Sequence, residues 1–325
     1  MIKIKKFTAS DREFKELARI DNLVNHDSIS HPDDDENDWK IRDRSLVRER
    51  LLLYNNNSLI GVIYYSQGRG ANNKTTFFTT NLDPNYNFNG YRKLLFDTML
   101  KEVKEFNCNQ VHTSIYDHPN YSEHKKLLIK EGFRLVQTNR EYSCDIRKVD
   151  IKKYCLLIKK LESEGINFYD SKHEMKKFPD KFPNHYKKME KLIWTYAQDF
   201  PIPDGIHHTR MPFKQAMKLQ IDFEENCYGT EIVAVKDGEY IGSTDIEVFP
   251  KSEPHKGWTG GLGVIRKYRR KGIATALKIK AIERLLEKGI IEVRTDNEKN
   301  NPMYKINIAL GFKPVPFSLD YSLEI

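Results

Sequence analysis

In Gly261-Leu-Gly-Val-Ile-Arg-Lys-Tyr-Arg-Arg-Lys-Gly-Ile-Ala-Thr-Ala-Leu-Lys278 an apolar strand ends, turns through a short basic segment with a glycine, and opens a helix. A helix start leaves its first backbone N–H groups without intrahelical acceptors, and the aligned peptide dipoles add positive potential there. Arg269, Arg270 and Lys271 place further positive charge beside those groups. The combination is suited to a bound phosphate.

The surrounding sequence extends this unit in both directions. Downstream, Ile273, Leu277, Ala281 and Leu285 form one apolar stripe with Ile279, Ile282 and Leu286 beside it, which predicts a helix over 273–288 stopped by Gly289. A buried strand over 290–295, a short helix over 301–310 and final strands from Phe312 onward follow. Upstream, 231–235 and 240–248 read as a hairpin joined by Asp237-Gly238, with a strand over 258–265 after it. Before the hairpin come a helix over 151–164 ended by Gly165, a strand from Ile166, a helix over 181–197, the Pro-rich loop 200–212 and a helix over 213–226. Strands and helices in this order make an α/β fold of the mixed α+β kind, a mostly antiparallel sheet flanked by helices.

Three anchors recur at a nearly constant offset of about 180 residues. Ile60-Gly61-Val62 answers Ile241-Gly242-Ser243, Tyr86-Asn-Phe-Asn-Gly90 answers Tyr268-Arg-Arg-Lys-Gly272, and Gly132-Phe133 answers Gly311-Phe312. This predicts two tandem copies of one fold, over 1–147 and 148–325. The acidic run His31-Pro-Asp-Asp-Asp-Glu-Asn-Asp38 lacks apolar residues and is expected to be a solvated loop.

At 325 residues the chain is long enough for two domains with cores of their own. Its 39% hydrophobic and 31% charged content fits globular domains with solvated surfaces. The formal charge of +8 favours an anionic partner, which a polyphosphate satisfies. Basic residues are dispersed, with no aromatic–basic module, so no nucleic-acid partner is expected. No apolar run is long enough to cross a bilayer, and Met1–Phe7 is an alternating strand without the apolar region of a signal peptide. Cys108, Cys144, Cys155 and Cys227 lack any C-x-x-C pairing, which fits reduced thiols in a cytoplasm and no metal site.

The form Arg269-x-x-Gly272-x-Ala274 resembles the pyrophosphate-binding motif of the GCN5-related N-acetyltransferases, the GNAT family. Asn300-x-x-Met303-x-x-Ile306-Asn307-x-x-Leu310-Gly311-Phe312 resembles that family's later segment, Asn-x-x-Ala-x-x-Leu-Tyr-x-x-Leu-Gly-Phe. The resemblance covers about 230–313 and implies acetyl-coenzyme A as cosubstrate. Leu262-Gly263-Val264 would be the end of the central strand, with the Val264 N–H polarising the thioester carbonyl. Arg269, Arg270, Lys271, Gly272, Ile273, Ala274 and Thr275 would hold the pyrophosphate, and Asn300 would contact the cofactor near its pantetheine. Gly272 and Ala274 would admit the phosphates closely because they are small.

A departure falls at Asn307, where many family members carry a tyrosine that protonates the leaving thiolate. An amide can donate a hydrogen bond to sulfur but cannot act as an acid. Tyr304 stands three residues earlier on the same helical face and is able to substitute. An attacking amine must be neutral, which calls for a base. Ser243, Asp245 and Glu247 share one strand face, with Glu247 the first choice and Asp245 the second. Asp204 and His207-His208 lie in the Pro-rich loop, where a substrate wall would fall. The first copy has Asn87, Gly90 and Arg92 against Arg269, Gly272 and Ala274, and reads as a degenerate copy. The resemblance therefore implies direct acetyl transfer to the primary amine of a small molecule or peptide. The alternative is a non-catalytic module that binds or senses acyl-coenzyme A.

Overall fold

The computed structural model describes every residue except His26, Asn87, Cys227, Lys299 and Pro302; the Asn226 side chain is likewise not described. Two compact units result. The first comprises Met1–Arg140 with Ile202–Thr209 and Pro316–Ile325, and the second Glu141–Pro201 with Arg210–Val315. Asn87, the Asp204–His208 loop and Cys227 carried expectations above; the first and last of these lie outside the described residues.

The first part of the chain forms β1 (Ile2–Lys6), α1 (Asp11–Val24), α2 (Pro32–Ile41), β2 (Arg48–Asn55), β3 (Ser58–Gln67), β4 (Thr75–Leu82), α3 (Asn89–Lys104), β5 (Gln110–Tyr116), α4 (Ser122–Lys130) and β6 (Arg134–Asp145). The remainder forms α5 (Cys155–Ser163), β7 (Ile166–Asp170), α6 (His185–Ala197), α7 (Phe213–Asn226), β8 (Thr230–Lys236), β9 (Glu239–Glu247), β10 (Lys256–Val264), α8 (Ile273–Glu287), β11 (Glu292–Glu298), α9 (Tyr304–Ala309), β12 (Lys313–Pro314) and β13 (Ser318–Glu324).

Strand order in the first unit is β1-β2-β3-β4-β5-β13-β6. The chain's last strand thus lies between β5 and β6, antiparallel to both. The core on one sheet face gathers Leu51, Ile60, Ile63 and Phe78 with Leu95, Phe96 and Met99 of α3. On the other, Phe7, Phe14, Leu17 and Ile20 meet Leu52, Leu59 and Val62. The alternation Leu51-Leu52-Leu53 divides these residues between the two faces, as a central strand requires.

The run 31–38 is helical, not a solvated loop. Pro32 starts α2, the His31 ring accepts from the Asp33 N–H at 3.2 Å, and Asp33, Asp34 and Asp35 occupy the favourable N-terminal turn. Asp35 also pairs in both directions, at 2.6 Å each, with the guanidinium of Arg50, which is 2% exposed. Composition alone points to a loop; the capping geometry and one buried arginine override it.

In the second unit the order is β6-β11-β10-β9-β8-β7, with β12 on β6. Asp237 and Gly238 adopt φ of 49° and 74°, the left-handed pair of a type I′ hairpin turn between β8 and β9. The α8 stripe packs Ile273, Ala276, Leu277, Ala281 and Leu285 against Ile232, Ala234 and Ile241. The opposite sheet face packs Val233, Val235 and Tyr240 against Met189, Leu192 and Tyr196 of α6. This mixed, mostly antiparallel sheet between helical layers agrees with the architecture expected from the sequence.

Candidate active site

The geometry of the site begins where two parallel strands part. β10 pairs with β11 only over Lys256–Trp258 against Glu292–Arg294. β10 then continues to Val264, held on its other side by β9. The Ile265 N–H bonds the Ile241 carbonyl at 2.9 Å. Alternation along a strand therefore turns the backbone groups of Val264 and Leu262 away from β9, toward the opening. The Val264 carbonyl accepts from Arg269 Nε at 2.7 Å, which leaves its N–H as the donor on that edge.

The turn after β10 is built to start a helix without closing its end. Arg266–Tyr268 makes one 3-10 turn. Arg270 has φ of 66° and Gly272 of 88°, so the chain bends twice through the left-handed region before α8. Gly272 is the N-cap and no side chain caps the first turn, which also holds no acidic residue. Arg270 and Lys271 are exposed, Ile273 is buried in the core, and Ala274 and Thr275 are half-buried on the first turn. Arg269 has a different task from its neighbours. Besides Val264, its guanidinium holds Asp199 at 2.5 Å, and Arg266 holds the same carboxylate. These two arginines draw the Asp199 carboxyl down to about 2 and fasten the turn to the end of α6.

Gly260, Gly261 and Gly263 of β10 make room for side chains on the α6 face of the sheet. A Cβ on Gly263 would come within 2.1 Å of the Tyr196 ring, and one on Gly260 within 2.0 Å of Asp245 Oδ2. Tyr196 OH bonds Ser243 Oγ at 3.1 Å. The register between β9 and β10 slips between Thr259 and Gly261, a bulge beside the opening. Asp245 lies across β8 from Glu231, which is 3% exposed and accepts from Gln220 Nε2 at 2.6 Å.

Burial, then Asp245, pushes Glu231 up to about 8; burial, then Glu247, pushes Asp245 up to about 7. Two carboxyls desolvated side by side cannot both ionise cheaply near neutrality. Because the folded pKa of Glu231 lies above its ordinary 4.5, the folded state holds the proton longer. That stabilisation is complete below the ordinary value and is lost as pH rises through about 8. Glu231→Gln is expected to flatten the fall in urea midpoint from about pH 5 to about pH 8; an unchanged slope would refute the assignment.

Of the sequence candidates, Glu247 is half-buried at the start of the β10 pairing, opposite Trp258. Asn307 is 2% exposed. Its Nδ2 donates to Asn297 Oδ1 at 2.7 Å and its Oδ1 accepts from Lys278 Nζ. Lys278, buried in α8 over the Phe312 ring, is drawn down by burial to about 7. The Asn307 amide thus serves a buried lysine. Tyr304 opens α9 and is half-buried against the core. Asn300 donates through its backbone N–H and its Nδ2 to the Glu298 carboxylate, at 2.8 and 3.1 Å. His207 bonds Asn72 through its backbone, and its loop groups with the first unit. Tyr196 and Glu231 are additions that the sequence reading missed. A lone Glu opening the apolar run Ile232-Val-Ala-Val235 was a signal for the second.

Among the described residues no helix is long and apolar enough to cross a membrane, and no group of three or more metal-type ligands occurs. Residues 189–308 match the acetyltransferase (GNAT) family model. No curated protein matched. Among solved structures, the chain is similar to a tandem GNAT protein from the clavulanic acid biosynthesis pathway, at 15% identity and a TM-score of 0.76, covering 100% of this chain and 98% of that one. It is similar to a GCN5-related N-acetyltransferase from Sphaerobacter thermophilus at 14% identity and a TM-score of 0.68, covering 99% and 95%. A GCN5-related glucosamine N-acetyltransferase region of a fungal multi-domain β-N-acetylglucosaminidase matches at 14% identity and 0.73, over 99% of this chain and 38% of that one. The parted strands and the uncapped helix start lie within or beside the segment 189–308 that matches the acetyltransferase (GNAT) family model, and the chain as a whole has the fold of tandem GNAT proteins.

Proposed function

We propose that the chain transfers an acetyl group from acetyl-coenzyme A directly to a primary amine, with one active site in the copy spanning 148–325. The observation that carries this reading is the opening between β10 and β11 beside the uncapped start of α8. A thioester cofactor with a diphosphate fits both halves of that feature. The N–H groups of Gly272 to Thr275, with the charges of Arg270 and Lys271, would hold the diphosphate. The open edge at Leu262 to Val264 would pair with the pantetheine amides, and Asn300, which follows the end of β11, would contact the cofactor near them. Bound there, acetyl-coenzyme A supplies an activated acyl group.

The chain's own residues supply the rest. The Val264 N–H, left open while Arg269 holds the same residue's carbonyl, would donate toward the oxygen where charge develops. Asp245 is the better base than Glu247, because its raised pKa lies near neutrality and its carboxylate rests on the bulge at Gly260. A base tuned to about 7 removes a proton from an ammonium group without being spent at neutral pH. The thiolate takes its proton from solvent or from Tyr304, since the Asn307 amide is engaged with Lys278. The 1–147 copy is read as non-catalytic.

Direct transfer needs both substrates on the protein at once. Initial rates at several fixed amine concentrations are therefore expected to give intersecting double-reciprocal lines. Parallel lines, the pattern of a covalent acyl-enzyme, would overturn direct transfer.

A further inference from the structure

Three arginines are buried among the described residues, and two of them are paired. Arg50 holds Asp35 at 2.6 Å, and Arg294 has Glu292 at 3.2 Å. Arg92, 4% exposed in the first unit, is different: its Nε and Nη1 are buried and have no acceptor. The group that acts on its charge is Tyr121, not a carboxylate, and Arg92 in turn acts on His124. Tyr121 OH is engaged with Asn25 Oδ1 at 2.9 Å. His124 is buried and drawn down to about 3, by burial first and then by Arg92, so it is neutral. Burial pulls Arg92 only to about 10, which leaves it cationic at physiological pH. A buried cation without a partner is among the costliest arrangements a fold can hold, and natural structures resolve it with a counter-charge.

Its position says what kind. Arg92 stands one turn into the sixteen-residue helix α3, whose N-cap is Phe88, with no capping side chain and no acidic residue in the first turn. Helical side chains lean toward the helix N-terminus, so the guanidinium leans over N–H groups that lack intrahelical acceptors. Asn89 Oδ1 is also buried without a partner, while its Nδ2 reaches Glu123 at 3.5 Å; Glu123 is itself held by Lys126 at 2.6 Å. The Phe88 ring packs on Gly90, where a Cβ would meet it at 2.3 Å. That ring covers the start of the turn and favours a small group over a diphosphate.

The geometry points to a second anion site in this chain: a small oxyanion, phosphate or carboxylate, held in the first unit by the Arg92 guanidinium and the first turn of α3. It goes beyond the transfer reaction and does not depend on it. The test is thermal denaturation of the full chain in an anion-poor buffer, with inorganic phosphate, acetate or coenzyme A added. It is run in a Gly272→Trp background so that the second unit does not respond. Phosphate or acetate is expected to raise the midpoint by about 3 °C, and Arg92→Met to abolish that rise. A rise with coenzyme A alone, lost in Arg92→Met, would support the site with the cofactor's phosphates as the source. No Arg92-dependent rise with any of the three overturns the proposal. Should Arg92→Met not fold, Arg92→Lys serves: it keeps the charge but loses the fork of donors, and is expected to bind phosphate at least about tenfold more weakly. Equal binding by Arg92→Lys overturns the proposal as well.

Discussion

Asp245→Asn is expected to lower acetyl transfer by about 10²- to 10⁴-fold while leaving acetyl-coenzyme A affinity within about threefold of wild type. The carboxylate lies on the α6 face of the sheet, over Gly260 and beside the Glu231 carboxyl, and makes no part of the helix-start cradle. An amide of the same shape keeps the packing and removes the base. The pH profile provides the second signature. With Asp245 pushed to about 7, wild-type kcat/KM should rise through that pH as the carboxylate forms. Glu247→Gln removes the charged neighbour that opposes its ionisation, so the rise should move to lower pH. If Asp245→Asn retains full turnover, Glu247, half-buried on the same strand face, takes the role instead.

The second large effect concerns the cradle. Gly272→Trp is expected to weaken acetyl-coenzyme A at least about a hundredfold in calorimetry, roughly 3 kcal/mol. The backbone at Gly272 has φ of 88°, and a Cβ there would meet Leu157 Cδ1 at 2.7 Å. A side chain is therefore strained, and an indole would cover the N–H groups that follow. Because strain could also cost stability, the reversal of two exposed residues, Arg270→Glu with Lys271→Glu, provides a variant that leaves the packing alone. It should weaken binding too, and more at low salt than at high. Unchanged affinity in both proteins would remove the diphosphate from this turn.

Much of this site was legible because its signals are local. The strand, turn and helix of 261–278 carry their own periodicity, glycine and charge. The Asp237-Gly238 turn demands left-handed backbone and has it. What escaped was set by distance in the chain. No pattern in Ser318–Glu324 says that it pairs with Gln110–Tyr116 and Arg134–Asn139, since alternation fixes which residues face inward but not which strand lies alongside. The same limit hid Tyr196, an ordinary helix residue until its ring is found over Gly263. The helix over Pro32–Ile41 was obscured for a different reason. Its acidic residues read as solvated, yet one of them neutralises Arg50 beneath the rings of Phe7 and Trp39. Asn307 was noticed as a departure from a tyrosine, but its partner Lys278 sits on the apolar stripe side of α8 and could not be paired with it from spacing.

The most direct measurement is thiol release from acetyl-coenzyme A by the full chain across a broad panel of primary amines, with the acetylated product identified by mass. Direct transfer predicts amine-dependent release above the rate of hydrolysis for at least one acceptor, one thiol per acetylated amine. Tight binding of acetyl-coenzyme A with no release on any acceptor would contradict it, and would make the chain a binding module for acyl-coenzyme A.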